Sequence, residues 1–152
     1  MPASKKPRKQ YRPKHVRLDT MGYVKESLTP LTEFTAANLN VRLQYLSSLD
    51  AISHGHGTEA DIRNIIDASN MAMSLKRLGN GVEWADVILA GADAVESMRN
   101  RYNQTGVATL WAWELHDIRA LLAAHDEQLD RCDIRTLEKG IEVTKKKKAV
   151  MV

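Results

Sequence analysis

From Pro30 onward, apolar side chains recur every three or four positions, the spacing that gathers them on one face of an α-helix. In the first such segment Leu39, Leu43 and Leu46 form one stripe and Val41, Tyr45 and Ile52 another, so a broadly apolar helix is expected. Thr29 as a cap ahead of Pro30 marks its predicted start, and "SHGHG" its end, where Gly55 or Gly57 supplies a left-handed stop. Thr58 with Asp61 three residues on reads as a capping box for a second helix, whose core stripe is Ile62, Ile65, Ile66, Ala68, Ala72 and Leu75. "LGNG" ends that helix at Gly79. A third repeats Trp84, Ile88, Gly91, Val95, Met98 and Tyr102, then breaks at "NQTG". Glycine inside a helix costs ~1 kcal/mol against alanine, so Gly91 predicts a close approach of another helix. A fourth helix is expected from Thr109, with the stripe Trp111, Leu115, Ile118, Leu122, His125 and Leu129. Asp133 caps a fifth, with Ile134, Leu137, Ile141 and Val143 facing one way. With no strand pattern and no internal repeat, the fold class is all-α: a compact bundle of about five helices.

Charge divides the chain into a body and two tails. Residues 1–17 hold Lys5, Lys6, Arg8, Lys9, Arg12, Lys14 and Arg17 with no acid, and 145–148 are four lysines, so 11 of the 22 basic residues sit at the ends. Residues 18–144 carry the other 11 against all 19 acids, a net −8. The first 17 residues, with their prolines and like charges, read as a disordered basic tail. Residues 18–29, anchored by Leu18, Met21, Tyr23, Val24 and Leu28 without a helical period, read as an extended arm that docks on the body or on a neighbouring subunit. Residues 30–144 are then the helical domain and 145–152 a Lys-rich C-terminal tail. The single cysteine excludes an intramolecular disulfide, and no apolar run reaches the ~18–20 residues of a membrane span. The expectation is a cytoplasmic protein without a membrane partner.

The stretch "ELHDIRALLAAHDEQLDRC" carries His-Asp twice. Nine residues turn a helix through about 900°, so His116 and His125 point to opposite sides and cannot share a metal within it. His125 falls on the apolar stripe, where a buried histidine bonded to a neighbour is expected. His116 joins a second face of Ala112, Ala120, Ala123 and Ala124, small enough to admit another helix, so Trp111, Ala112, Leu115, His116, Ala120 and His125 are candidate interface residues. Trp111 and Trp113 lie two apart and face different ways, which predicts one in the core and one half-buried or at a contact. His54, His56 and Asp50 form a polar corner that offers weak metal ligands, against the plainer reading of a glycine-rich turn. Cys132, between Asp130 and Asp133, is expected to be unreactive. No P-loop, GxGxxG or GxSxG motif is present, and no cofactor is called for.

The basic, proline-containing opening, the "RLDTMGYV" after it and "ELHDIRALLAAHDEQLD" together resemble a group of small helical proteins from tailed bacteriophages. In that group a basic-proline leader precedes a helical body bearing an "ELHDxQLD"-like helix; here "ELHD" and "HDEQLD" are separated. The resemblance implies an accessory gene product in an infected bacterial host, implies no reaction, and carries over no functional residue. The leading expectation is therefore a non-enzymatic accessory protein, a homo-oligomer that binds a host or phage protein. A nucleic-acid-associated protein acting through its basic tails is the runner-up. A metal-dependent hydrolase at the His54/His56 corner comes third.

Overall fold

The computed structural model describes Leu28, Pro30 and residues 35–150, with side chains described from 39 to 146. Five helices follow one another: α1 Thr35–Ser53, α2 Glu59–Arg77, α3 Ala85–Thr105, α4 Ala112–Arg131 and α5 Ile134–Val150, with a 3-10 turn at Val82–Trp84 before α3. Among the described residues there is no strand, and an isolated antiparallel bridge joins Pro30 to Asp133. The basic residues of 1–17 and all but Leu28 of the arm 18–29 lie outside the described residues.

The helix ends obey the sequence's punctuation. At Gly55 (φ 79°) the His56 and Gly55 amides bond back to Ala51 and Ile52, and at Gly79 (φ 90°) the Asn80 and Gly79 amides bond back to Leu75 and Lys76. Both are the paired closure that needs a left-handed residue, and glycine adopts that conformation at no steric cost. The Thr58–Asp61 capping box is made, with Thr58 N–H donating to Asp61 at 2.8 Å. Asp133 caps α5 by accepting from Thr136 N–H at 2.7 Å.

Two starts are displaced. α1 begins at Thr35, not at Pro30, because Pro30 is held in extended pairing with Asp133; Thr29 lies outside the described residues. α4 begins at Ala112, not at Thr109, because Thr109 is engaged by Arg101, which donates to its hydroxyl (3.0 Å) and to its carbonyl (2.8 Å).

α2 touches each of the other four helices and takes the central place in the bundle. Its predicted stripe is buried apart from Ile66, which is half-buried. The most extensive pairing is α3 with α4, and Gly91 lies within it. A Cβ at Gly91 would stand 2.3 Å from Leu121 Cβ and 2.9 Å from the Asp117 carbonyl oxygen, so the close approach expected at this glycine is real. On α5 the buried position is Gly140, against Met71 and Leu75, while Ile141 turns outward; the packed side is Leu137, Gly140 and Thr144 rather than the Leu137–Ile141 line.

α1 departs most from its pattern. Tyr45, Ser48, Leu49 and Ile52 are buried, while Leu39, Leu43 and Leu46 are 53%, 52% and 44% exposed. The helix is apolar on two sides, and the other described helices cover one.

Replacing Gly91 with alanine tests the packing. Propensity alone predicts a gain of ~1 kcal/mol. The clash with Leu121 and a backbone oxygen predicts a larger penalty, for a net loss of roughly 2 kcal/mol in urea unfolding.

Candidate interaction surface

The site starts from a buried charge. The Glu114 carboxylate, on the first turn of α4, is fully buried. An unpaired carboxylate there would be costly, and four donors compensate it. Ser97 Oγ donates at 2.7 Å and Arg101 Nη1 at 2.9 Å, both to Oε1; Arg101 Nη2 and the Trp111 N–H (2.9 Å) donate to Oε2. Burial pushes the Glu114 pKa up, but the hydrogen bonds from Arg101, Trp111 N–H and Ser97 outweigh it and hold the carboxyl below its ordinary range. The Trp111 indole has no acceptor oxygen, so only the return half of a capping box is formed, from Glu114 to the Trp111 backbone.

This cluster fixes the chain between α3 and α4. Arg101 reaches from α3 to Glu114 and to Thr109, and its guanidinium lies 4.7 Å from the centroid of the Trp111 ring. Trp111 is thereby laid over a cation and kept at the surface, 56% exposed. Trp113 is 46% exposed, its ring centroid 6.4 Å from that of Trp111 at an angle of 60°, and Val107 nearby in the loop is 57% exposed. The expectation that one of the two tryptophans enters the core is corrected: both face out, Trp111 over the Arg101 guanidinium, while Ala108 and Leu110 just before it pack on the core. Beside Trp111 opens a groove of about 470 Å³, lined from α3 by Asp93, Glu96, Ser97, Asn100 and Gln104. Arg101 lines the groove as well, and Glu96 lies 4.0 Å from Arg99, so Asp93 and Glu96 stand beside cations.

Of the other candidate interface residues, Ala112 and His116 are exposed and Ala120 and Leu115 half-buried, Leu115 packing against the core. His125 is 2% exposed and sits inside the chain, so it is not at a surface where another subunit could reach it. His116 and His125 thus point oppositely, as their spacing requires.

His125 belongs to a buried polar cluster that sequence reasoning did not assemble. Its Nδ1 lies 3.1 Å from Gln128 Oε1, and Gln128 Nε2 donates to the carbonyls of Ala72 (3.1 Å) and Asn80 (2.9 Å). Asn80 Nδ2 returns a bond to the Gln128 carbonyl at 3.0 Å. The His125 ring lies 5.9 Å from that of Tyr45, whose hydroxyl donates to Asp126. Arg42 bonds Asp130 at 2.5 Å and also approaches Asp126, tying α1 to α4. Gln128 on the His125 face, one turn on, is the signal available in the sequence, but its partners are distant carbonyls that no pattern reveals.

The remaining candidates stay apart. His54 Nδ1 is 3.2 Å from Asp50 Oδ1, both exposed, and His56 is exposed in the turn. Among the described residues no three His, Cys, Asp or Glu side chains come together to hold a metal ion, so His54, His56 and Asp50 are not brought to one point. Cys132 is buried, and burial, with Asp133 adding to it, pushes its thiol up to about 11. Burial rather than acidic neighbours is the main cause. A second groove, of about 340 Å³ between α2, α3 and α5, is lined by residues including Asn70, Met73, Ser74, Glu96, Arg99 and Thr144, and no imidazole or thiol lines it. Among the described residues no helix is long and apolar enough to cross a membrane. Lys5, Lys6, Arg8, Lys9, Arg12, Lys14 and Arg17 lie outside the described residues.

No family model, no curated protein and no solved structure matches the chain.

Burial lowers the His125 pKa from its ordinary value, against weaker raising effects of Gln128 and Asp126. The unfolded chain therefore takes up this proton first as pH falls, so stability present above pH ~6.5 is lost below it, by at most ~1.4 kcal/mol per pH unit. Unfolding free energies between pH 8 and 5 should fall more steeply for the native chain than for His125→Gln, each referred to its own value at pH 8.

Proposed function

We propose that this chain is a non-enzymatic accessory protein that acts by binding a macromolecular partner, with the Trp111–Trp113 platform as its central contact. The observation that carries the reading is two neighbouring tryptophans, each about half exposed, on a base held by the buried Arg101–Glu114 pair. Covering roughly 100 Å² of each ring would contribute about 2–3 kcal/mol apiece, the size of an interface hot spot. A rigid platform also loses little conformational freedom on binding.

The acidic residues Asp93 and Glu96 beside Trp111, on a body of net charge −8, favour a protein partner with an apolar anchor and cationic surroundings. Self-association into a homo-oligomer through the neighbouring exposed Ala112 and His116 is part of the same reading. The same proposal takes up the resemblance to tailed-phage proteins: the partner belongs to an infected bacterium, and the binding serves host takeover, counter-defence or regulation.

A second reading, binding of DNA or RNA through the tails, is favoured by one observation: residues 1–17 carry seven basic residues and no acid. Capture from bacterial lysate distinguishes the two. Trp111→Ala/Trp113→Ala should weaken retention of a specific protein partner at least ~30-fold, as two hot-spot losses require, whereas deletion of residues 1–17 should leave it unchanged. Retention that ignores both tryptophans but vanishes with the tail, or falls steeply with salt, would overturn the first reading in favour of the second.

A further inference from the structure

The geometry points to the groove between α2, α3 and α5 as a binding site for a small organic anion, with one carboxylate or phosphate head on a short apolar body. The groove holds about 340 Å³, toward the small end of small-molecule sites. Its walls carry two kinds of chemistry. Ile66 and Met73 of α2 and Val95 of α3 give an apolar side, while Ser69, Asn70, Arg77 and Arg99 bring hydroxyl, amide and guanidinium donors. Ser74 and Thr144 are already spent on each other at 2.8 Å, which ties α2 to α5 where both line the groove.

Arg99 carries the assignment. Its Nε is shut off from solvent without a hydrogen-bond partner, and among the described residues no other buried side-chain nitrogen or oxygen is left in that state. Its Nη2 lies 4.0 Å from Glu96 Oε1, beyond hydrogen-bond length, and the Glu96 side chain is 63% exposed, so that pairing is loose. A desolvated guanidinium nitrogen without an acceptor is a standing cost that folded chains rarely keep. A carboxylate or phosphate supplies what is missing, two oxygens that one edge of a guanidinium takes together. The Arg99 side chain is 43% exposed, so its outer part is free to turn that edge toward the groove. Charge selects an anion over a neutral ligand: two arginines line the groove against one glutamate, on a body whose residues 18–144 carry a net −8. The volume admits a head group and a short chain and no folded partner. The assignment is independent of the role proposed for the tryptophans, since Glu96 alone is shared with the groove beside Trp111.

The test titrates the full chain with hexanoate, with hexyl phosphate and with neutral hexanamide, followed by chemical shifts. The better of the two anions should bind with a Kd on the order of a millimolar or tighter and should move the signals of Asn70, Met73, Val95 and Arg99. Hexanamide should bind at least ~10-fold more weakly. Arg99→Gln should weaken the anion about 10-fold with the thermal midpoint unchanged, because the fold loses no hydrogen bond to Nε. Asn70→Asp, which sets a like charge in the groove, should weaken it by a similar factor, and Trp111→Ala/Trp113→Ala should leave it unaltered. Four results would each overturn the inference: no shifts at these residues, shifts confined to the basic residues of 1–17 and 145–148, equal binding of hexanamide, or Arg99→Gln and Asn70→Asp chains that bind as tightly as the native one.

Discussion

A carboxylate with no access to water organises this end of the molecule. Glu114 is fully buried at the start of α4, and its charge is tolerable only because Ser97, Arg101 and the Trp111 N–H all point at it. Each donor has a structural consequence. Arg101 fastens α3 to α4 and, through Thr109, fixes the segment before α4 as non-helical. The Trp111 N–H sets where α4 begins. Because the guanidinium is already spent on Glu114 and Thr109, its face is left for the Trp111 ring to cover, and the ring stays at the surface. The exposed position of Trp111 is thus a by-product of satisfying one buried charge.

The opposite end is held by different means. Gln128, held by His125, donates to carbonyls of α2 and of the turn after it, so a polar cluster fixes the register of α4 against α2. Between the two ends, Gly91 lets α3 and α4 come close over Leu121. α1 is attached by Tyr45 and Arg42 to the acids of α4 and packs on α2 with one of its two apolar sides. Among the described residues, the exposed large apolar side chains include those of α1 and the two tryptophans.

The helical count, the stripes of α2 and α3, the caps at Thr58 and Asp133 and the reason for Gly91 were legible because each depends on neighbours in sequence. The opposed directions of His116 and His125 were legible for the same reason. What periodicity could not supply was where the body ends. Trp111 continues the α4 stripe, yet its ring lies over the Arg101 guanidinium and stays 56% exposed rather than entering the core. Leu39, Leu43 and Leu46 look like core by the same periodicity. Pro30 and Thr109 resembled helix starts, but a long-range pairing and an arginine from another helix claim them. Glu114 and Gln128, the residues on which both ends depend, read locally as an ordinary first-turn acid and an ordinary polar residue, since beyond the Trp111 N–H and His125 their partners lie on other helices or in the turn before α3.

The central claim is that Arg101 and Glu114 act as one unit that supports the Trp111 platform. A double-mutant cycle with Arg101→Met, Glu114→Gln and the pair together measures this directly, with hydrogen exchange of the Trp111 amide followed alongside stability. The account predicts single losses near 3 kcal/mol, a coupling of about 2 kcal/mol and loss of Trp111 protection in Glu114→Ala, which has no acceptor oxygen. Losses that add to within ~0.5 kcal/mol, with the Trp111 amide still protected, would contradict it.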